Sequence, residues 1–286
     1  MLTSTQTYWP DAVKTAFKRD LNLPVLSPVA IRVVQLSNDP VCDSRRLGET
    51  ISADPGLSAR VLKLANSSYY GFSGDIISVQ QAIILIGFSA IRNLVLGLSM
   101  KDLFANCPET TYLDELWSHS YLTACLADTL VSYISCPHQC YTFTAGLLHN
   151  IGKLVIQSTY SKQTSAIIGA SYSQNIPLHL VEEKIIGFNH AHVGGWAAKC
   201  WNLPTSLVET IALHHTPTKA KEASTLCAIT SLSSFLARRK DETLPTDIPS
   251  VFLNPQISET MLVKMWEKWI TLRQTHLEAV AFLSAT

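Results

Sequence analysis

The chain has 286 residues, 47% of them apolar and 15% charged, with 22 basic and 22 acidic side chains. This composition excludes a disordered chain, and the balanced charge lacks the electrostatic footprint of a general nucleic-acid binder. The opening "MLTSTQTYWPD" has no basic head before an apolar run, and the longest apolar stretch, "AIILIGFSAI" (82–91), is too short for a bilayer, so neither a secretory signal nor a membrane span is expected.

Residues 1–19 read as an N-terminal extension, and helical periodicity dominates the rest. "PVAIRVVQLSND" and "SRRLGETISAD" read as short helices. "DPGLSARVLKLANSSYYG" has Asp54 as N-cap and Pro55 at the first helical position, with Leu57, Val61 and Leu64 on one face. Gly71 and Gly74 break the chain after it. Ser78 opens "SVQQAIILIG", striped by Val79, Ala82, Ile83 and Ile86. Gly87 separates it from a helix striped by Phe88, Ile91, Val95 and Leu98. Residues 113–135 read as one long helix, 141–157 as another and 164–175 as a third. "HAHVGGWAAKCW" and "SLVETIALHH" follow, parted by Asn202-Leu203-Pro204. The last helices span 224–239 and about 257–284, with the Pro-rich "LPTDIPSVFLNPQ" irregular between them. No stretch alternates with period two and no fixed-period repeat appears, so the fold class is all-α.

Seven scattered cysteines, an odd number, suit a reduced, cytosolic protein. "CPHQC" brings Cys136, His138 and Cys140 together, but no second Cys/His pair stands at finger-like spacing, so it reads as a loop between helices. Of nine histidines, six fall at telling places: His119 within a helix, His149 before Gly152-Lys153, His190 and His192 at a helix start, His214 and His215 at a helix end. Four helices can thus point imidazoles at one spot inside a bundle, as metal-site bundles do. Adjacent residues share no helix face, so His214 and His215 both reach inward only if the helix unwinds there, and Thr216-Pro217 supply the means.

The order His119, His149-Asn150, His190, His214-His215 resembles the HD superfamily of metal-dependent phosphohydrolases. More closely, the chain resembles the HDOD family, the HD-related output domain of bacterial signalling proteins. "LPVLSPVAIRVVQLSNDP", "ISADPGLSARVLKLANSSYYG", "SVQQAIILIGFSAIRNLVLGL", "LWSHSYLTACLA", "AGLLHNIGKLVI", "EEKIIGFNHAHVGGWAAKCWNLP" and "IALHHTP" carry the likeness, over about 20–240. It implies a two-lobed helical fold: an N-terminal helical lobe (about 20–105) packed on an HD-like bundle (about 113–240), with residues 241–286 a linker and a C-terminal helix outside it.

The resemblance also implies a site. In the superfamily a His-Asp dyad and a late Asp bind metal. Here the dyad position is Asn150, and the late Asp would fall near Ser234 in the acid-free "AITSLSSFLA" (228–237). The implied pocket holds His119, His149, Asn150, Lys153, Glu182, His190, His192, His214 and His215. A divalent ion (Zn, Ni, Mn or Fe) would rest on His119, His149, His190, His214 and His215, with Glu182 as the one anionic ligand. No residue is singled out as catalytic. Two readings stand. One is a non-enzymatic, cytoplasmic regulatory module that binds another signalling protein, itself or a nucleotide messenger. The other is a metal-dependent phosphohydrolase acting on a nucleotide. Against the second, "TPTKAKEAST" after the histidine pair lacks the extension found in cyclic di-GMP phosphodiesterases.

Elsewhere, "SRR" and "ARRK" read as solvated basic patches, and Trp117, Trp196 and Trp201 as core. Gly194-Gly195 allow either close helix packing or room for a ligand. The C-terminal helix carries Met261, Met265, Trp269, Leu272 and His276 on one line and Leu262, Trp266, Ile270 and Leu277 on the next. This broad apolar stripe must be covered, by its own domain or by a partner.

Overall fold

A computed structural model describes residues 8–17, 26–36, 39, 42–67, 70, 75–105, 111–239, 241–253 and 257–284. The described residues contain helices and no strand, and they form two lobes. Gly71 and Gly74 lie outside the described residues.

Local capping sets the first lobe. The helices α2 (Pro28–Leu36), α3 (Ser44–Ser52), α4 (Pro55–Ala65) and α5 (Val79–Ile86) all pack on α6 (Phe88–Ala105). Asp43, Asp54 and Ser78 each accept a hydrogen bond from a backbone N–H three residues on, at the starts of α3, α4 and α5. Gly87 ends α5 at φ +101°, a conformation open to glycine at little cost. A paired Arg60–Asp102 contact, at 2.6 and 2.7 Å, ties α4 to α6.

The second lobe is built on α7 (Thr111–Val131), which packs on α8 (Thr142–Leu148), α14 (Ser224–Leu236) and α15 (Glu259–Ser284). The remaining members are α9 (Ile151–Thr159), α10 (Ser161–Gln174), α11 (Leu178–Ile186), α12 (His190–Cys200) and α13 (Thr205–Leu213). α6 also touches α7 and α8 and so joins the lobes. The short helix α1 (Asp11–Phe17) packs on α12 of the second lobe. Phe17 reaches Tyr160, Phe188 and Trp196 there, with ring centroids 5.3–6.3 Å apart.

The expected single helix over 141–157 is two helices, α8 and α9, broken at His149-Asn150. The cause is tertiary. Gly146 lies so close to α7 that a Cβ there would sit 2.6 Å from the Ala124 Cα, whereas Gly152 lies against α12. Each half packs against a different helix, and the chain turns between them. α11 has no counterpart in the expected elements. It is bounded by Pro177 and by Gly187 at φ +83°. Gly194 and Gly195 leave no room for a ligand: a Cβ on either would meet Ile211 or Ala212 of α13 at 2.9 and 2.6 Å.

α15 folds back on α7 and α6. Leu262, Met265, Trp266, Trp269, Val280 and Leu283 are buried, and the Trp266 indole N–H donates to the Glu242 carbonyl at 2.9 Å. Among the described residues, no helix is long and apolar enough to cross a membrane.

Candidate histidine site

Four helix ends and one helix middle deliver six imidazoles to one pocket. His119 comes from within α7, His149 from the break between α8 and α9, His190 from the first residue of α12, and His214 and His215 from the turn after α13. His179 of α11 joins them. Neighbouring ring centroids are 5.4 Å apart for His119–His149, 5.1 Å for His149–His214, 5.5 Å for His190–His214, 4.9 Å for His190–His215 and 4.1 Å for His214–His215. α13 does unwind after Leu213. Ser231 of α14 donates to the His214 carbonyl at 2.7 Å and fixes the turn that lets both rings face inward.

The hydrogen bonds set the tautomers. His149 Nδ1–H donates to the Gly146 carbonyl (2.7 Å), His214 Nδ1–H to the Ile211 carbonyl (2.8 Å) and His190 Nδ1–H to the Glu182 carboxylate (2.6 Å). All three therefore turn an unprotonated Nε2 to the interior. His215 Nε2–H donates to His190 Nε2 at 2.9 Å. The His214 Nε2 is buried without a partner. Burial, first of all, pulls every one of these imidazoles below its usual range, His214 to about 3. They are neutral at neutral pH.

Ser234 and Asn150 occupy the side of the pocket where the resemblance leads one to look for acids. The Ser234 hydroxyl lies 3.0 Å from His149 Nε2 and 3.2 Å from His119 Nε2. The Asn150 amide nitrogen lies 2.6 Å from the same His149 Nε2, and its amide oxygen is buried without a partner. The Glu182 Oε2 takes both the ring N–H and the backbone N–H of His190 (2.6 and 2.8 Å) and so orients that imidazole. His192 is placed otherwise. Its Nδ1 accepts from the Asn189 backbone N–H in a capping box, so it closes the start of α12.

Lys153 is buried beside this cluster. Burial pulls its ammonium down, with the Glu182 charge opposing, and burial pushes the Glu182 carboxyl up, with the His190 N–H and Lys153 opposing. Arg238, an exposed residue of the "ARRK" patch, acts electrostatically on His119 and Lys153 and so belongs to the pocket's rim. Two further residues escape the sequence reading. His179 stacks on His215 at 3.9 Å and 14°, from a helix that periodicity did not reveal. Glu209 is fully buried but spent on structure: it accepts the backbone N–H groups of Lys221, Glu222 and Ala223 and the Tyr8 hydroxyl.

Among the described residues, the side chains that could together hold a metal ion are His190, His214 and His215, whose ligand atoms lie within 4.8 Å of one another. The inward lone pairs, the unpartnered His214 Nε2 and the carboxylate-oriented His190 fit one divalent ion that accepts imidazole. No carboxylate oxygen joins that set.

The close approach of α9 to α12 makes Gly152 a sensitive point. A Cβ there would run into the His190 carbonyl oxygen and come within 2.7 Å of the Gly194 nitrogen. Gly152→Ala is expected to cost roughly 1–3 kcal/mol or more, read as a melting temperature lowered by several degrees. An unchanged melting temperature would contradict this packing.

The HDOD domain family matches residues 23–217, more than half of the chain. The chain belongs to the HDOD family. An HDOD domain protein of unknown function from Geobacter sulfurreducens shares the fold at TM-score 0.77 and 22% identity, covering 95% of this chain and 96% of that one. A Shewanella amazonensis protein, provisionally named a phosphohydrolase, does so at 0.74 and 22% (95% and 98% covered). One from Marinobacter aquaeolei, provisionally named a signal transduction protein, does so at 0.79 and 20% (96% and 65% covered). In sequence the chain is similar to an uncharacterized protein of Treponema pallidum (strain Nichols), at 24% identity over 236 residues, 82% of this chain and 46% of that protein. It also matches the uncharacterized YuxH of Bacillus subtilis (strain 168), at 33% over 111 residues, 39% and 27% of the two chains. The HDOD chain thus spans less than half the length of these curated relatives.

Proposed function

We propose that this HDOD chain is a non-enzymatic regulatory module of bacterial signalling, working in the cytoplasm. It would act by binding another signalling protein, a second copy of itself or a nucleotide messenger. The observation that carries this reading is the Ser234 hydroxyl set between His149 and His119, with the Asn150 amide on the same His149 nitrogen. Neutral groups hold two of the five imidazoles in a closed hydrogen-bonded web, where a phosphohydrolase would need anionic ligands to concentrate metal charge.

A second reading, a metal-dependent phosphohydrolase, draws on the His190–His214–His215 cluster and on Glu182 behind His190. A divalent ion held there would supply Lewis acidity toward a phosphoryl oxygen or a water. The residues of the chain would contribute three neutral imidazoles, the Glu182 carboxylate that orients one of them, and the Lys153 and Arg238 charges nearby. The same cationic neighbours favour an anionic ligand such as a nucleotide phosphate on either reading.

Purified protein is expected to carry at most one metal ion per chain by elemental analysis, and to show no Mn²⁺-stimulated phosphodiester hydrolysis. Metal-stimulated activity abolished by His149→Ala would overturn the regulatory reading in favour of the second. Asn150→Asp with Ser234→Asp is expected to raise metal affinity at least about tenfold, beyond either single change. If the double variant binds metal no better than the parent, these two positions are not where the site lost its charge.

A further inference from the structure

A cleft of about 330 Å³ lies between α6, α7, α8 and α15, and none of the pocket histidines lines it. Asn93 and Leu94 come from α6, Tyr121 and Asp128 from α7, Phe143 from α8, and Lys268 and His276 from α15. Its size is that of a site for a small molecule, and it stands where the two lobes and the C-terminal helix meet.

Its polar groups are arranged and incompletely used. Asp128 accepts the Thr142 hydroxyl at 2.8 Å on one oxygen and the Asn93 amide at 3.3 Å on the other, leaving lone pairs on both. Asn93 is held in that orientation by Arg92, a buried guanidinium that donates to its amide oxygen at 3.0 and 2.9 Å. Among the described residues Asp128 forms no ion pair, and neither does Lys268. His276 lies flat on Trp269, with centroids 5.6 Å apart at 20°, and its Nδ1 is buried without a partner. Burial pulls this imidazole down, against the opposing pull of Asp128, so it is neutral. Lys268 is exposed at the rim, its ammonium 5.8 Å from the Tyr133 ring centre. Leu94, Tyr121 and Phe143 give the cleft an apolar wall.

We propose that this cleft binds a small zwitterion, a primary ammonium and a carboxylate on a compact apolar body, which is the chemistry of an apolar α-amino acid. The ammonium takes Asp128, with the neutral His276 ring beside it. The carboxylate takes Lys268, and the apolar body lies between Leu94, Tyr121 and Phe143. The occupied site joins both lobes and α15, so the ligand would act as an effector of the module. The inference does not depend on whether the histidine pocket holds metal.

The test is calorimetric titration of the full chain with phenylalanine and leucine, and with two single-charge analogues, phenethylamine and 3-phenylpropionate. Saturable binding of at least one amino acid is expected, with each analogue at least about tenfold weaker than phenylalanine. Asp128→Asn is expected to weaken it by about tenfold or more, and Leu272→Trp to abolish it by filling the cleft. Should Asp128→Asn fail to fold, Leu272→Trp and the rim variant Lys268→Glu decide. Absence of binding by both amino acids, equal binding of 3-phenylpropionate, or binding that survives Leu272→Trp would each overturn the proposal.

Discussion

Trp269→Ala is expected to destabilise the protein by about 3 kcal/mol, the lower end of the range for removing a buried Trp. Trp269 is 1% exposed and packs in the central core from α15. The lower end applies because its indole N–H is buried without a partner, so truncation also relieves an unsatisfied donor. Deleting residues 257–286 removes Trp266, Met265 and Leu262 as well, and uncovers the faces of α6 and α7 beneath them. The truncated chain is expected to aggregate. Chemical denaturation of the point variant and light scattering of the truncation check the two results. A truncation that stays monomeric with its melting temperature intact would show α15 to be an appendage rather than core.

Acidification is expected to destabilise the protein from about pH 6.5 downward. His149, His190 and His214 are buried, and burial holds their folded values below the ordinary 6.5. In that window the unfolded chain binds protons that the folded chain refuses, so stability falls as pH falls. Each such group contributes about 1.4 kcal/mol per pH unit. Glu182 acts in the opposite direction, because burial raises its folded value above the ordinary 4.5 and the folded chain holds its proton there. The three fully buried imidazoles against one carboxyl leave a net loss of at least roughly 2–3 kcal/mol per pH unit, and His119 and His215, lowered by burial too, act in the same direction. Melting temperatures from pH 7.5 to 5.5 provide the measurement, and a flat profile would mean that the imidazoles are reached by solvent or already protonated in the fold.

Much of the architecture is visible in the sequence because it rests on local chemistry. Asp54, Ser78 and Gly87 mark helix ends through their own side chain or its absence, and the structure uses them so. The C-terminal stripe with two tryptophans declares a buried helix, and α15 is one. The break at His149-Asn150 is not legible, since apolar residues run through it without interruption. It arises because Gly146 and Gly152 press against α7 and α12, helices that are distant in sequence. α11 is missed for a related reason: it is nine residues long and four of its five large apolar residues are at least partly exposed, so it shows little one-sided patterning.

The sequence by itself determines the residue types at the pocket: six imidazoles, counting His179, an amide, a hydroxyl and the carboxyl of Glu182. Those identities set what charge the site can carry. What only the tertiary structure decides is which lone pairs are free. Glu182 becomes an orienting group because α11 sets its carboxylate against the start of α12. His192, two residues from His190, is turned to the cap of its own helix. Ser234 meets His149 and His119 across 85 and 115 residues of chain. Hydrogen bonds of 3 Å depend on side-chain direction and helix crossing, and a one-dimensional pattern contains neither.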